Sequence, residues 1–156
     1  MGMNNTPHDP WGASSWAPGY RIIQSLQQSS RVQIFVAVHG TSEIHSALKV
    51  ITDPKQAEKE IETLRDLAGF PGIVPLHDVG RTTHGHTFLV FPLYPERSFG
   101  QVLANSGPVP LAQAVAVGRN IGAALSGLHG RGLLHNAVAP ENILRVTRAC
   151  SRASPR

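Results

Sequence analysis

The sequence His-Asn-Ala-Val-Ala-Pro-Glu-Asn-Ile-Leu occupies residues 135–144, and it is the most informative stretch of the chain about its fold. It follows residues 111–129, where apolar residues recur at three- and four-residue spacing and therefore predict a long helix. Proline and asparagine are common in turns, so we expect residues 133–146 to form a compact loop with a short strand. The apolar stripe of the predicted helix consists of Leu111, Val115, Gly118, Ile121, Leu125 and Leu128.

Upstream of this helix, short runs of β-branched and aromatic residues alternate with turn signals. They predict five strands, at residues 21–26, 32–38, 44–51, 73–79 and 87–94. After the third strand, Asp53 and Pro54 form a helix-start signal, and apolar residues follow at helical spacing as far as Ala68. Residues 98–104 predict a further short helix. Because short turns link the first three strands, we predict that they are antiparallel.

This order of elements, together with three motifs, resembles a bacterial-type Ser/Thr protein kinase domain. Residues 47–51, Ala-Leu-Lys-Val-Ile, resemble the third-strand motif that carries the phosphate-binding lysine. Residues 71–80, Pro-Gly-Ile-Val-Pro-Leu-His-Asp-Val-Gly, are similar to the fourth strand of these kinases. Residues 135–144 resemble the catalytic loop, which usually reads H-R-D-x-K-P-E-N-I-L.

The resemblance implies an α+β fold and a division of the chain. We expect a protein-kinase-like N-lobe, made of a five-stranded antiparallel sheet plus one helix, and an incomplete helical C-lobe. Residues 19–146 are the predicted partial kinase domain, with the N-lobe at 19–94 and the start of the C-lobe at 95–146. Residues 1–18 are predicted to be a flexible leader, and 147–156 a disordered basic tail.

The resemblance also implies a set of nucleotide-binding positions. Lys49 would neutralise phosphates of ATP, Glu60 would pair with that lysine, and Asn142 would hold a magnesium ion in a working kinase. Glu58 and Glu62 are alternatives to Glu60, because the predicted helix is rich in charge. The positions implied for the cofactor are Lys49, Glu60, Phe91, Pro92, Leu93 and Asn142, with Phe91 as gatekeeper and the next two residues as the hinge beside adenine.

The chain departs from the kinase pattern where phosphates are bound. The phosphate-covering loop normally reads G-x-G-x-x-G, and the aligned positions here are Gln27, Ser29 and Val32. Glycine allows a close approach of the backbone to phosphate, and these side chains crowd it.

The catalytic loop departs further. Ala137 stands at the position of the catalytic aspartate, and Ala139 stands at that of the loop lysine. No D-F-G motif follows Leu144, so the metal-binding aspartate is missing as well. We therefore expect no catalytic residues and no metal site. The resulting prediction is a pseudokinase-like interaction and regulatory module with ATP as its candidate ligand, without magnesium.

Composition limits the classes of protein to which the chain can belong. The chain has 156 residues, a single cysteine and a net charge of +4. One thiol excludes an internal disulfide, and no apolar run reaches the about 20 residues of a membrane span, so we predict a cytoplasmic location and no membrane partner. From Arg97 onwards there are seven arginines and one acidic residue, Glu141.

Two alternative functions stay open. In the first, the chain is an N-lobe that another chain completes into an active Ser/Thr kinase. In the second, it is a basic protein that binds nucleic acid through the arginines. The unbroken apolar stripe of residues 111–129 argues against a helix-turn-helix, so we expect no nucleic-acid partner. The same stripe would be poorly covered in a monomer, which predicts self-association or a protein partner.

Overall fold

The computed structural model describes residues 16–94 and 98–145. These residues form two compact units. Residues 16–70 and 74–93 make the first unit, and residues 71–73, 94 and 98–145 make the second.

The first unit is a five-stranded sheet with one helix. Its strands are β1 (Tyr20–Gln28), β2 (Val32–His39), β3 (His45–Ile51), β4 (Asp78–Arg81) and β5 (Thr87–Pro92), and its helix is α1 (Pro54–Asp66). Every pair of neighbouring strands is antiparallel, and the order across the sheet is β1-β2-β3-β5-β4. The predicted fold class is thereby confirmed.

Side chains alternate between the two faces of the sheet, so each face has its own apolar cluster. One cluster comprises Trp16, Ala17, Phe35, Ala37, Leu48, Val50, Phe88 and Val90. The other comprises Ile51, Ala57 and Leu89, with Ile61, Leu64, Leu76 and Phe91 packed against them. Because Ala57, Ile61 and Leu64 belong to α1, the second face is the one that the helix covers.

Helix α1 begins and ends as its sequence indicates. The Asp53 side chain accepts a hydrogen bond from the Lys55 amide at 2.9 Å, and Pro54 occupies the first helical turn, where its missing N–H costs nothing. The helix ends at Asp66, and Gly69 follows with a φ of 73° that glycine adopts without strain.

The fourth strand is shorter than predicted. We expected residues 73–79, but β4 begins only at Asp78. Gly72 turns the chain with a φ of 83°, and Pro75 has no N–H to donate to a ladder. The first hydrogen bond to β5 is donated by the amide of His77 to the Val90 carbonyl, at 2.8 Å.

The end of the predicted leader belongs to the core. Trp16 and Ala17 are 2% and 1% exposed, and the Trp16 ring meets the edge of Phe35 with centroids 5.1 Å apart. The Trp16 carbonyl accepts a hydrogen bond from the Thr83 amide at 2.8 Å. Residues 1–15 lie outside the described residues. Trp16 and Ala17, which we predicted to lie in a flexible leader, are therefore part of the core, because burial of a large aromatic ring is favourable.

The second unit contains α2 (Phe99–Ser106), α3 (Leu111–His129) and a short 3-10 turn at Pro140–Asn142. The short strand predicted within residues 133–146 is absent from its described part, because Pro140 starts a 3-10 turn there. The amide of Phe99 donates to the Ile143 carbonyl at 2.8 Å and joins α2 to this turn. A Cβ atom on Gly100 would lie 3.0 Å from the Glu141 amide nitrogen, so glycine permits the close approach.

Tyr20 links the first strand of the sheet to the last one in the order. Its hydroxyl donates to Asp78 Oδ2 at 2.8 Å, and its ring meets Phe88 edge-on with centroids 5.7 Å apart. Burial of the ring, then the hydrogen bond to Asp78 and the negative charge of that carboxylate, raise the pKa of Tyr20 to about 12. The folded state thus favours the neutral phenol.

Because of this pKa shift, we predict that the folded state loses stability at alkaline pH. The contribution of Tyr20 is complete below its ordinary pKa of 10.0 and is lost as the pH rises from there towards 12. In a Tyr94→Phe background Tyr20 is the only tyrosine, so ultraviolet absorbance of tyrosinate should report a midpoint near 12. Asp78→Asn should lower that midpoint. Equal midpoints near 10.0 in both proteins would contradict the contact.

Candidate functional site

Lys49 lies in the middle of the sheet, on the face that α1 covers. It is on β3, directly opposite Ile34 of β2 and Leu89 of β5. Ala47 lies two residues earlier on the same strand and is opposite Phe91. Because cross-strand partners and alternate residues share a face, Ala47, Lys49 and Phe91 are on one side of the sheet.

The lysine is held by an ion pair. Its Nζ atom lies 2.5 Å from Glu60 Oε1 on α1, and the two side chains are 24% and 26% exposed. Glu58 and Glu62 of the same helix are exposed, and the lysine pairs with Glu60, so the structure selects Glu60 among the three acidic candidates. The pair connects sheet to helix, and its net charge is zero.

The predicted gatekeeper and hinge residues lie at the end of β5. Phe91 is half-buried and packs against the cluster that α1 covers. Pro92 is opposite Ser46 of β3, and Leu93 follows the end of the strand. Pro92 has no N–H, so its carbonyl is the only hydrogen-bonding group of its main chain.

The segment that would cover phosphates is instead a tight hairpin. Gln27 lies within β1 and pairs with Ile34, and Val32 begins β2. The Ser29 amide donates to the Val32 carbonyl at 2.9 Å, and the Val32 amide donates to Ser29 Oγ at 3.1 Å. The Arg31 carbonyl accepts from the amide of Thr52 at 3.3 Å, which ties the turn to the end of β3.

In the second unit, the main chain of Ala137 is held from both sides. Its amide donates to His135 Nδ1 at 3.3 Å, and its carbonyl accepts from Asn142 Nδ2 at 2.9 Å. Asn136 has a φ of 57°, a left-handed conformation that asparagine tolerates better than most residues. The loop frame is therefore well defined around a residue whose side chain is a single methyl group.

The surroundings of this loop are apolar. Ala137 and Ala139 line a cavity of about 60 Å³ whose only polar side chains are those of His135 and Asn142. The other residues that line it are Gly72, Ile73, Ile121, Ala124, Leu125, Leu128, Val138 and Ile143. Among the described residues, no group of three or more His, Cys, Asp and Glu side chains is placed to hold a metal ion.

The structure thus brings some predicted site residues together and separates others into another unit. Lys49, Glu60 and Phe91 share one face of the first unit, and Pro92 and Leu93 adjoin it at the end of β5. Asn142 belongs to the second unit, where its amide braces the loop. No helix in the described part of the chain is long and apolar enough to cross a membrane.

Two functional features were missed from the sequence. The first is the pair of hydrogen bonds between the Ser29 hydroxyl and the main chain of Val32. A serine three residues before the start of the next strand is a sequence signal for such a turn. The second is the clamp on Ala137. An asparagine at 136 signals a left-handed residue, but the acceptor role of the His135 ring depends on three-dimensional geometry.

Comparison with curated proteins identifies relatives of this chain. Serine/threonine-protein kinase PknD of Mycobacterium tuberculosis (strain CDC 1551 / Oshkosh) is 32% identical over 143 residues, which is 86% of this chain and 21% of PknD. PknH of Mycobacterium bovis is 32% identical over 137 residues, which is 83% of this chain and 22% of PknH. The chain therefore spans about a fifth of the length of these relatives.

Solved structures show the same fold. The kinase domain of PknI from Mycobacterium tuberculosis is 25% identical, with a TM-score of 0.66 over 85% of this chain and 57% of that one. Rad53 residues 1–466, in complex with AMP-PNP, has a TM-score of 0.73 at 24% identity, covering 84% of this chain and 36% of that one. The family model for the protein kinase domain matches residues 20–150. Together with the strand order and the position of Lys49, this match shows that the chain belongs to the protein kinase domain family.

Proposed function

We propose that this chain is a kinase-fold interaction and regulatory module that does not transfer phosphate and binds an adenine nucleotide without magnesium. The observation that carries the proposal is that the main chain of Ala137 is hydrogen-bonded to the side chains of His135 and Asn142. The loop keeps a defined frame at the position where kinases place their catalytic aspartate, but the side chain there is a methyl group.

The loss of transfer chemistry follows from named atoms. In kinases an aspartate of this loop accepts the proton of the substrate hydroxyl, and the methyl side chains of Ala137 and Ala139 can neither accept a proton nor stabilise phosphate charge. The donor set for magnesium is equally poor. Asn142 Nδ2 is engaged with the Ala137 carbonyl, so Asn142 offers one amide oxygen, and no described acidic cluster adds to it.

Nucleotide binding is supported by the first unit. Lys49 is fixed by Glu60 on the same face as Ala47 and Phe91, and the small side chain of Ala47 leaves room beside the ring of Phe91. A flat purine is suited to such an apolar surface, and the Pro92 carbonyl offers an acceptor at its end. The proposed ligand is an adenine nucleotide, as expected from the kinase resemblance.

The interaction role is supported by α3. Leu111 and Val115 are 80% and 50% exposed and lie four residues apart on one face of the helix. Neither Gly118 nor Gly122 has an atom within 4 Å of where a Cβ would be, so a second helix can approach closely. Arg119 is the only charged residue between Leu111 and Ala124, so two copies of this face repel each other little. We therefore assign this face to a second copy of the chain.

With ATP and magnesium, the purified chain should transfer no more phosphate to a general kinase substrate than a control without protein does. Ala137→Asp should leave this result unchanged, because Ala139 and the β1–β2 turn at Ser29 still lack the groups that position phosphate. A radiolabel transfer assay checks both proteins. Transfer by the purified wild-type chain alone would contradict the proposal and favour an active kinase.

Lys49→Met should weaken ATP binding by about tenfold, because the variant leaves the Glu60 carboxylate unpaired beside the phosphates. The measurement is the ATP-dependent rise in melting temperature without magnesium, since a ligand that binds only the folded state must raise it. Lys59→Met, at an exposed lysine of α1, is the matched control. An equal loss in both variants would place the nucleotide elsewhere.

Sedimentation of the wild-type chain should show a concentration-dependent dimer that the double variant Leu111→Glu with Val115→Glu removes. Charges buried in an apolar contact are costly, so the variant should stay monomeric. Ile44→Glu introduces the same charge at a residue that is 66% exposed in the first unit, and it should not change the dimer. A wild-type monomer at all concentrations would contradict the assignment of α3 to a second copy.

A further inference from the structure

We propose that two copies of the chain pair through antiparallel α3 helices, so that Leu111 of each copy enters the cavity beside Ala137 of the other. This inference rests on the self-association proposed above and specifies how the two copies are arranged. It gives a role in binding to the loop that carries alanine at the position of the catalytic aspartate.

The exposed apolar side chains of the second unit form two patches. Among its described residues, the large apolar side chains that are exposed are those of Leu111, Val115, Leu134, Val138 and Leu144. The first two, which we call the knob patch, lie at the N-terminal end of α3. The other three, which we call the rim patch, belong to the cavity, since Val138 lines it and each of the other two is next in sequence to a lining residue. Exposed apolar patches mark interaction sites.

The cavity is suited to the end of one aliphatic side chain. Its volume is about 60 Å³, and ten of the twelve residues that line it are glycine, alanine, valine, isoleucine or leucine. Ala137 and Val138 are exposed, so a side chain can reach it from solvent. An aliphatic group that enters such a cavity removes apolar surface from water. Two parts of the wall are the methyl groups of Ala137 and Ala139, and a longer side chain at either position would occupy the space.

Helix α3 carries both the knob patch and part of the cavity wall. Along one stripe, apolar residues and glycines recur at alternating spacings of four and three, the pattern of helices that pair side by side. The stripe consists of Leu111, Val115, Gly118, Gly122 and Leu125. Leu125 also lines the cavity, so the stripe extends from the knob patch to the cavity wall. Leu111 and Leu125 are separated by about 21 Å along the helix.

The antiparallel order brings the two kinds of patch together. In a pair that crosses at the glycines, Gly118 of one copy faces Gly122 of the other. Leu111 of the first copy is then level with His129 of the second, beside Leu128, which lines the cavity. The same contact forms a second time, so the two-fold symmetry closes the dimer. In a parallel pair each knob patch would face its own copy, and both rim patches would stay exposed.

The crossing point permits a close approach. No atom lies within 4 Å of where a Cβ atom would be on Gly118 or Gly122, so another helix can contact the main chain there. Arg119 follows the first glycine, and the two Arg119 side chains of the pair repel each other. Because Arg119 is exposed, solvent and salt screen this repulsion, which lowers the affinity only slightly.

Cysteine crosslinking of the full chain tests the order of the helices. Cys150→Ser removes the single native cysteine. In that background, Ala112→Cys and Ser126→Cys each change an exposed residue that follows a residue of the stripe. The antiparallel order places residue 112 of one copy beside residue 126 of the other, so a mixture of the two variants should crosslink with a short bis-maleimide. Neither variant alone should crosslink, because like residues are then about 21 Å apart.

The negative results of this experiment have different meanings. If the wild-type chain sediments as a dimer and the mixture does not crosslink, the inference is overturned and the proposed self-association is intact. A wild-type chain that sediments as a monomer at all concentrations overturns both.

Val138→Glu tests the loop separately from the helix. The variant places a charge in the rim patch, so the dissociation constant of the dimer should rise by at least about tenfold. Val138 is 53% exposed, and Ile44→Glu, at a residue of the first unit that is 66% exposed, is the matched control and should have no effect. An unchanged dimer in Val138→Glu would show that the loop takes no part, which contradicts the inference.

Ala137→Leu tests the cavity itself. The larger side chain should occupy the space that Leu111 of the other copy enters, and the dimer should weaken by about tenfold. Ala123→Leu, at an exposed residue of α3 outside the stripe and the cavity wall, is the control. A dimer of Ala137→Leu that is as tight as the wild type would exclude the entry of Leu111 into the cavity.

Discussion

The ion pair between Lys49 and Glu60 is the contact on which the first unit and its chemistry depend. It connects the central strand of the sheet to α1, beside the apolar contacts of Ala57 and Ile61. Both side chains are about three-quarters covered, which strengthens the attraction relative to a fully exposed pair. The same contact holds Lys49 Nζ on the face of the sheet that carries Ala47 and Phe91, so one interaction both joins the helix to the sheet and fixes the position of the lysine.

In the second unit, hydrogen bonds hold the main chain of the loop around Ala137 in a defined conformation. The peptide of Ala137 is fixed by His135 and Asn142, and Asn136 accommodates the left-handed turn between them. These bonds involve main-chain atoms and flanking side chains, so they do not depend on the identity of residue 137. The loop keeps its conformation with alanine at position 137, because the side chain of that residue takes no part in these hydrogen bonds.

Much of the fold was predictable because it depends on local patterns. The bounds of α3 agree with the predicted helix at residues 111–129, and the Asp53 cap marks the start of α1. The pairing of Lys49 with Glu60 was also expected, though only the structure distinguishes Glu60 from Glu58 and Glu62. The errors have two causes. The burial of Trp16 depends on Phe35, a partner distant in the sequence. The late start of β4 follows from the turn at Gly72 and the missing N–H of Pro75, which the run of apolar residues obscured.

The most direct test is to measure ATP binding and phosphate transfer on the same purified protein. The dissociation constant for ATP would be determined with and without magnesium, beside radiolabel transfer to a general kinase substrate. We expect ATP to bind without magnesium, Lys49→Met to weaken this binding, and transfer to stay at the level of a control without protein. Transfer above that level, or no binding of ATP, would contradict the proposed function.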